Sequence, residues 1–136
     1  MAEEQPTPSI GKTVLIVDDD SFLLDMYAMR FTQAGFTVHT ASSASQTLEK
    51  LKEGLVPDVM LLDVVMPMID GFELLEQINQ QHLASTTVKI YLSNLSQEQD
   101  LARGKSLGAA SYIVKANSTP SEVVAHVLEV MKQHGL

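Results

Sequence analysis

Residues 13–20 read Thr13-Val14-Leu15-Ile16-Val17-Asp18-Asp19-Asp20, and the architecture follows from them. A short unbroken apolar run is the mark of a strand covered on both faces, as in a parallel sheet. The acids after Val17 end it at an edge where charge is solvated or coordinated. A helical period follows over residues 21–34, with Leu24, Tyr27, Ala28 and Phe31 at i, i+3, i+4 and i+7 and Gly35 as a left-handed stop. One strand and one covering helix make one βα unit. Further strands are expected at 37–40, 59–62, 88–92 and 111–114, each followed by a helical segment.

The later helices carry start signals. Ser43 with Gln46, Ser96 with Gln99, and Thr119-Pro120-Ser121-Glu122 each place a capping oxygen three residues before Glu or Gln. Gly54 and Gly108 close two of these helices. The last is expected to bury Val124, Val127, Leu128 and Met131. The fourth, over about residues 97–107, offers only Leu101, Ala102 and Leu107, contains Gly104, and should be weakly held. Five parallel strands with right-handed crossovers give an α/β fold, a three-layer (βα)5 sandwich of flavodoxin-like strand order 2-1-3-4-5.

Composition narrows the function. The chain has 136 residues, 9 Lys plus Arg against 17 Asp plus Glu, and a net charge of −8, which disfavours a phosphate track on nucleic acid or docking on an anionic membrane. With no cysteine there is no disulfide framework, thiolate zinc site or cysteine nucleophile. The four histidines, His39, His82, His126 and His134, lack ligand spacing. Residues 1–11 read as a flexible arm and 12–136 as one domain. The start has neither the basic region nor the apolar run of a secretory signal, and Asp63 interrupts the longest apolar stretch, so a cytoplasmic protein is expected.

In such a sheet the ligand site lies beyond the carboxyl ends of the strands, at the switch point between strands 1 and 3. Asp18 and Asp19 end one of these strands and Asp63 ends the other. Two carboxylates about 4 Å apart repel by roughly 4 kcal/mol at an effective dielectric of 20, so the cluster calls for protons or a cation. All-oxygen ligands favour Mg²⁺, with Mn²⁺ as a substitute. Ser93 closes strand 4 and Lys115 closes strand 5, which adds a hydroxyl and an ammonium. A carboxylate that attacks phosphorus needs these companions, and Asp63, alone at the end of the central strand, is placed to become an aspartyl phosphate. Asp20 and Asp70 read instead as helix caps, with Gly71 supplying backbone freedom.

Val17-Asp18-Asp19, Asp63-Val64-Val65-Met66-Pro67-Met68-Ile69-Asp70-Gly71, Ser93 and Tyr112-Ile113-Val114-Lys115 together resemble the receiver domain of two-component response regulators, over residues 12–134. The resemblance implies that Asp63 accepts a phosphoryl group from a histidine kinase or phosphotransfer protein. It implies that Asp19, Asp63 and the Val65 carbonyl ligate Mg²⁺, with Asp18 acting partly through water. Ser93 and Lys115 would bind phosphoryl oxygens, and Tyr112 would turn inward as Ser93 moves toward them. Helix 4, strand 5 and helix 5 would form the output face. The protein would be no enzyme beyond catalysing its own phosphorylation and dephosphorylation.

Several positions depart from that pattern. Ala116 stands where a cis-bonded proline usually follows the lysine. A cis bond to alanine costs about 3 kcal/mol, so a trans bond and a differently aimed loop come into view. Asn94 replaces a small residue and narrows the path to Asp63, while Val65 and Leu95 offer no polar group to an attacking water, so a long-lived phosphorylated form is expected. Met1 and the Gly135-Leu136 end favour a stand-alone receiver over a fragment of a longer regulator or hybrid kinase. A haloacid-dehalogenase-like phosphatase would use Asp18-x-Asp20 and leave Asp63 unexplained. A flavin carrier would set its phosphate against three aspartates.

Overall fold

An apolar strand becomes the centre of a sheet only where helices cover both its faces. The computed structural model, which describes residues 9–136, meets that condition with β1 (Thr13–Val17), β2 (Thr37–Ala41), β3 (Val59–Leu62), β4 (Val88–Ser93) and β5 (Ser111–Val114), all parallel in the order β2-β1-β3-β4-β5. Between and after them run α1 (Ser21–Gln33), α2 (Ala44–Lys52), α3 (Gly71–Gln80), α4 (Glu98–Ser106) and α5 (Pro120–Gln133). Successive side chains of the central strands enter opposite cores. Val14, Ile16, Val59 and Leu61 pack with Tyr27 and Phe31 of α1 and Val123 and Val127 of α5, whereas Leu15, Val17, Met60 and Leu62 pack with Leu74, Leu75 and Ile78 of α3. Of the expected arm, residues 1–8 lie outside the described residues; beyond them the Ile10 N–H donates to the Gly35 carbonyl at 3.0 Å.

Several local expectations change. α4 takes Gln97 rather than Ser96 as its N-cap, because the Asp100 carboxylate in the first turn accepts the Gln97 N–H at 3.2 Å, where the helix dipole favours negative charge. Ser43 caps α2, but Gln46 reaches back to the Ser42 N–H. Thr119 and Glu122 form the full reciprocal box with Pro120 in the first turn. α5 turns Val123 and Val130 inward and leaves Leu128 39% exposed, since it leans on α1 as well as on the sheet. α4 buries neither Leu101 nor Ala102. Its one buried residue is Gly104, where an added Cβ would lie 3.0 Å from the Tyr91 ring.

Candidate functional site

Parallel pairing sets Val17 beside Leu62, Leu62 beside Tyr91 and Ser93 beside Val114, so the residues just beyond these strand ends share one edge. The Asp63 N–H donates to the Val17 carbonyl at 2.9 Å, which brings the two acidic segments into contact. Asp18, Asp19 and Asp63 each present a carboxylate oxygen within 4.8 Å of the others. Asp18 and Asp63 are buried and Asp19 is exposed. Lys115 joins the buried pair, its Nζ lying 2.7 Å from Asp18 Oδ2 and 3.3 Å from Asp63 Oδ2. The remaining oxygens are directed by backbone: Asp18 Oδ1 accepts the Asp20 N–H at 2.9 Å, and Asp63 Oδ1 accepts the Val64 N–H at 2.8 Å.

Three carboxylates and one ammonium leave an excess of two negative charges at this edge, where Asp18 and Asp63 are poorly solvated. Burial pushes the Asp63 carboxyl up to about 6; Lys115 pulls it down and Asp18 adds to the rise. Burial acts against the Lys115 ammonium, yet its contacts with Asp18 and Asp63 outweigh that and hold it above the ordinary lysine value. This donor set suits a small hard cation: the ligands are all oxygen, they converge, and a charge deficit remains for the ion to fill.

Asp20 faces away from this cluster, its Oδ1 accepting the Phe22 and Leu23 N–H groups at the start of α1, which removes the second acid of the phosphatase motif. Asp70 caps α3 through the Glu73 N–H at 2.9 Å. Gly71 is required by close approach rather than backbone freedom: a Cβ there would lie 2.0 Å from the Asp63 carbonyl oxygen. Ser93 is buried at the end of β4, and its Oγ accepts the Leu95 N–H at 3.2 Å instead of bonding to the acids or Lys115. The Tyr112 hydroxyl is already buried without a hydrogen-bond partner, and burial holds it above the ordinary tyrosine value. The Val65 side chain is exposed on the β3–α3 loop.

Some participants are not evident from sequence. Tyr27, read as a core residue, also stands near enough to feel the charges of Lys115, Asp18 and Asp63. Tyr91 donates its hydroxyl to the Gly71 carbonyl at 3.2 Å and packs between Phe72 and Tyr112, with centroid distances of 5.1 and 5.7 Å. The alternation of strand faces could have marked Tyr91 as inward, but not its partner. Among the described residues all peptide bonds are trans, including Lys115–Ala116, and a 3₁₀ turn spans Lys115–Asn117.

A five-stranded parallel α/β domain with buried aspartates and a lysine at the carboxyl edge of its sheet defines a class of signalling module. The response regulator receiver domain family matches residues 14–128, and the chain belongs to it. It is 33% identical over 124 residues to the alkaline phosphatase synthesis transcriptional regulatory protein PhoP of Bacillus subtilis, covering 91% of this chain and 50% of that protein. It is 35% identical to the transcriptional regulatory protein CreB of Escherichia coli, covering 90% and 52%. The crystal structure of a CheY-like receiver domain protein of Methanospirillum hungatei superposes with a TM-score of 0.80 at 27% identity, over 90% of this chain and 94% of that one. The chain thus spans about half the length of the curated relatives it matches. No helix among the described residues is long and apolar enough to cross a membrane.

Proposed function

We propose that Asp63 is the phosphoacceptor, taking its phosphoryl group from a phosphohistidine of a sensor kinase or phosphotransfer protein. The supporting observation is the state of its carboxylate, with Oδ1 fixed by the Val64 N–H and Oδ2 facing Lys115 at 3.3 Å. In the transfer, a carboxylate oxygen forms the O–P bond as the P–N bond breaks, and the imidazole leaves with a proton from solvent. Lys115 pairs with the phosphoryl oxygens, releasing part of its hold on Asp18. The Ser93 hydroxyl swings from the Leu95 N–H toward the same oxygens, and Tyr112 packs behind it. Asp18, Asp19, Asp63 and the Val65 carbonyl would hold Mg²⁺, which neutralises charge on the phosphoryl group.

The α4–β5–α5 face carries the output. It contacts a partner protein in a stand-alone regulator, or a second domain if the receiver serves a longer regulator like the transcriptional relatives it half covers. Intact mass after incubation with Mg²⁺ and acetyl phosphate tests the acceptor. One phosphoryl adduct is expected, absent with chelator and in Asp63→Asn. A wild-type protein that stays unmodified with acetyl phosphate and with phosphorylated kinases would overturn the reading. Because Val65 and Leu95 carry no polar group, the adduct should persist well beyond seconds when its decay is timed.

A further inference from the structure

The loop that carries Lys115 has an unusual anchor. Lys115 opens the 3₁₀ turn Lys115–Asn117, whose preceding residue, Val114, supplies no side-chain cap. The first N–H groups of any helical turn have no partner inside it. Here the Ala116 N–H donates to Asn94 Oδ1 at 3.0 Å, across 22 residues of sequence. The pairing of Ser93 with Val114 sets these two segments side by side. A proline at 116 would have no N–H to donate, and a glycine or alanine at 94 would have no acceptor to offer. The two departures at this edge of the sheet therefore form a single contact. It joins the residue after Ser93 to the residue after Lys115.

We propose that Asn94 is a positioning residue of the phosphoryl site, acting through Lys115: its amide oxygen caps the trans Lys115–Asn117 turn and so holds the ammonium between Asp18 and Asp63. The inference rests on the phosphoacceptor reading above for its consequence in the reaction, and on the Asn94–Ala116 contact alone for its structural part. A second role for Asn94, as a plug over the path to Asp63, predicts the opposite result.

The test compares Asn94→Leu, which keeps the bulk and loses the acceptor, with Asn94→Ala, which loses both, in the Lys115 and Lys115→Met backgrounds. Phosphoryl uptake from acetyl phosphate with Mg²⁺ is followed by intact mass. Loss of one such hydrogen bond should slow uptake about three- to tenfold in both Asn94 variants, and neither should add to the defect of Lys115→Met. Faster uptake in Asn94→Ala with unchanged uptake in Asn94→Leu would make Asn94 a plug and overturn the proposal. Equal slowing in both Lys115 backgrounds would reduce it to a general structural residue. NMR supplies an arm independent of phosphorylation. Asn94→Leu should speed Ala116 amide exchange several-fold and shift the Lys115 Cε and Nζ resonances, whereas unchanged spectra would overturn the clamp even if the wild type never accepts phosphate.

Discussion

Tyr91 bonds to Gly71 beside the acidic edge and packs on Gly104 of α4, yet these two regions are held in opposite ways. At the acidic edge there is no slack: the α3 backbone at Gly71 presses on the Asp63 carbonyl, and buried charges are set against one another. α4 rests on the sheet through Gly104, helped at the surface by Arg103, which lies 4.8 Å above the Phe72 ring and 3.2 Å from Glu76, and by Asn79 donating to the Leu107 carbonyl. A tight site beside a loosely held face suits a module in which a local chemical change shifts a neighbouring element at little cost.

The sharpest contrast lies between two Gly→Ala changes. Gly71→Ala should destabilise by more than about 3 kcal/mol in urea unfolding, because its Cβ would meet backbone that cannot move aside. A loss below 1 kcal/mol would show that the α3 start shifts freely, and the comparison would collapse. Asp63→Asn acts on the same edge in the other direction. Since the Asp63 carboxyl is raised to about 6 in the fold from 3.8, the native state binds its proton more tightly than the unfolded chain, and stability falls as pH climbs through that window. In Mg²⁺-free buffer Asp63→Asn should gain about 2 kcal/mol at pH 7.5 and almost nothing near pH 4. A gain independent of pH would remove buried charge as its cause.

On the α4 face the effects should be smaller. Gly104→Ala pushes against the Tyr91 and Tyr112 rings, which can give, so a loss of about 1 kcal/mol is expected, with faster amide exchange confined to α4 and β5. Exchange that rises equally in α3 would deny α4 its independence. Arg103→Ala removes a half-exposed cation–π contact and ion pair, and should cost about 0.5 kcal/mol by chemical denaturation.

Much of this was legible in residues 13–20 and 59–63, because a doubly covered strand must be apolar along its whole length and can carry acids only where it stops. The caps at Asp20, Asp70 and Thr119 were equally readable, since each is a contact among residues three apart. On α5 the periodicity marks Val124, Val127 and Met131 correctly but includes Leu128 and omits Val123 and Val130, because it marks a face without saying which neighbours share it.

Sequence was enough to specify the alternation of strands and helices, the sheet order, and the gathering of Asp18, Asp19, Asp63, Ser93 and Lys115 at one edge. All of these depend on period, on local hydrogen bonding, or on the handedness of βα connections. Folding in three dimensions supplied the Lys115 bridge between two acids, the close approach of the Tyr91 ring to Gly104, and the Asn94–Ala116 contact. These are distances between segments far apart in the chain, and a few ångströms between such segments are set by the packing of the whole molecule.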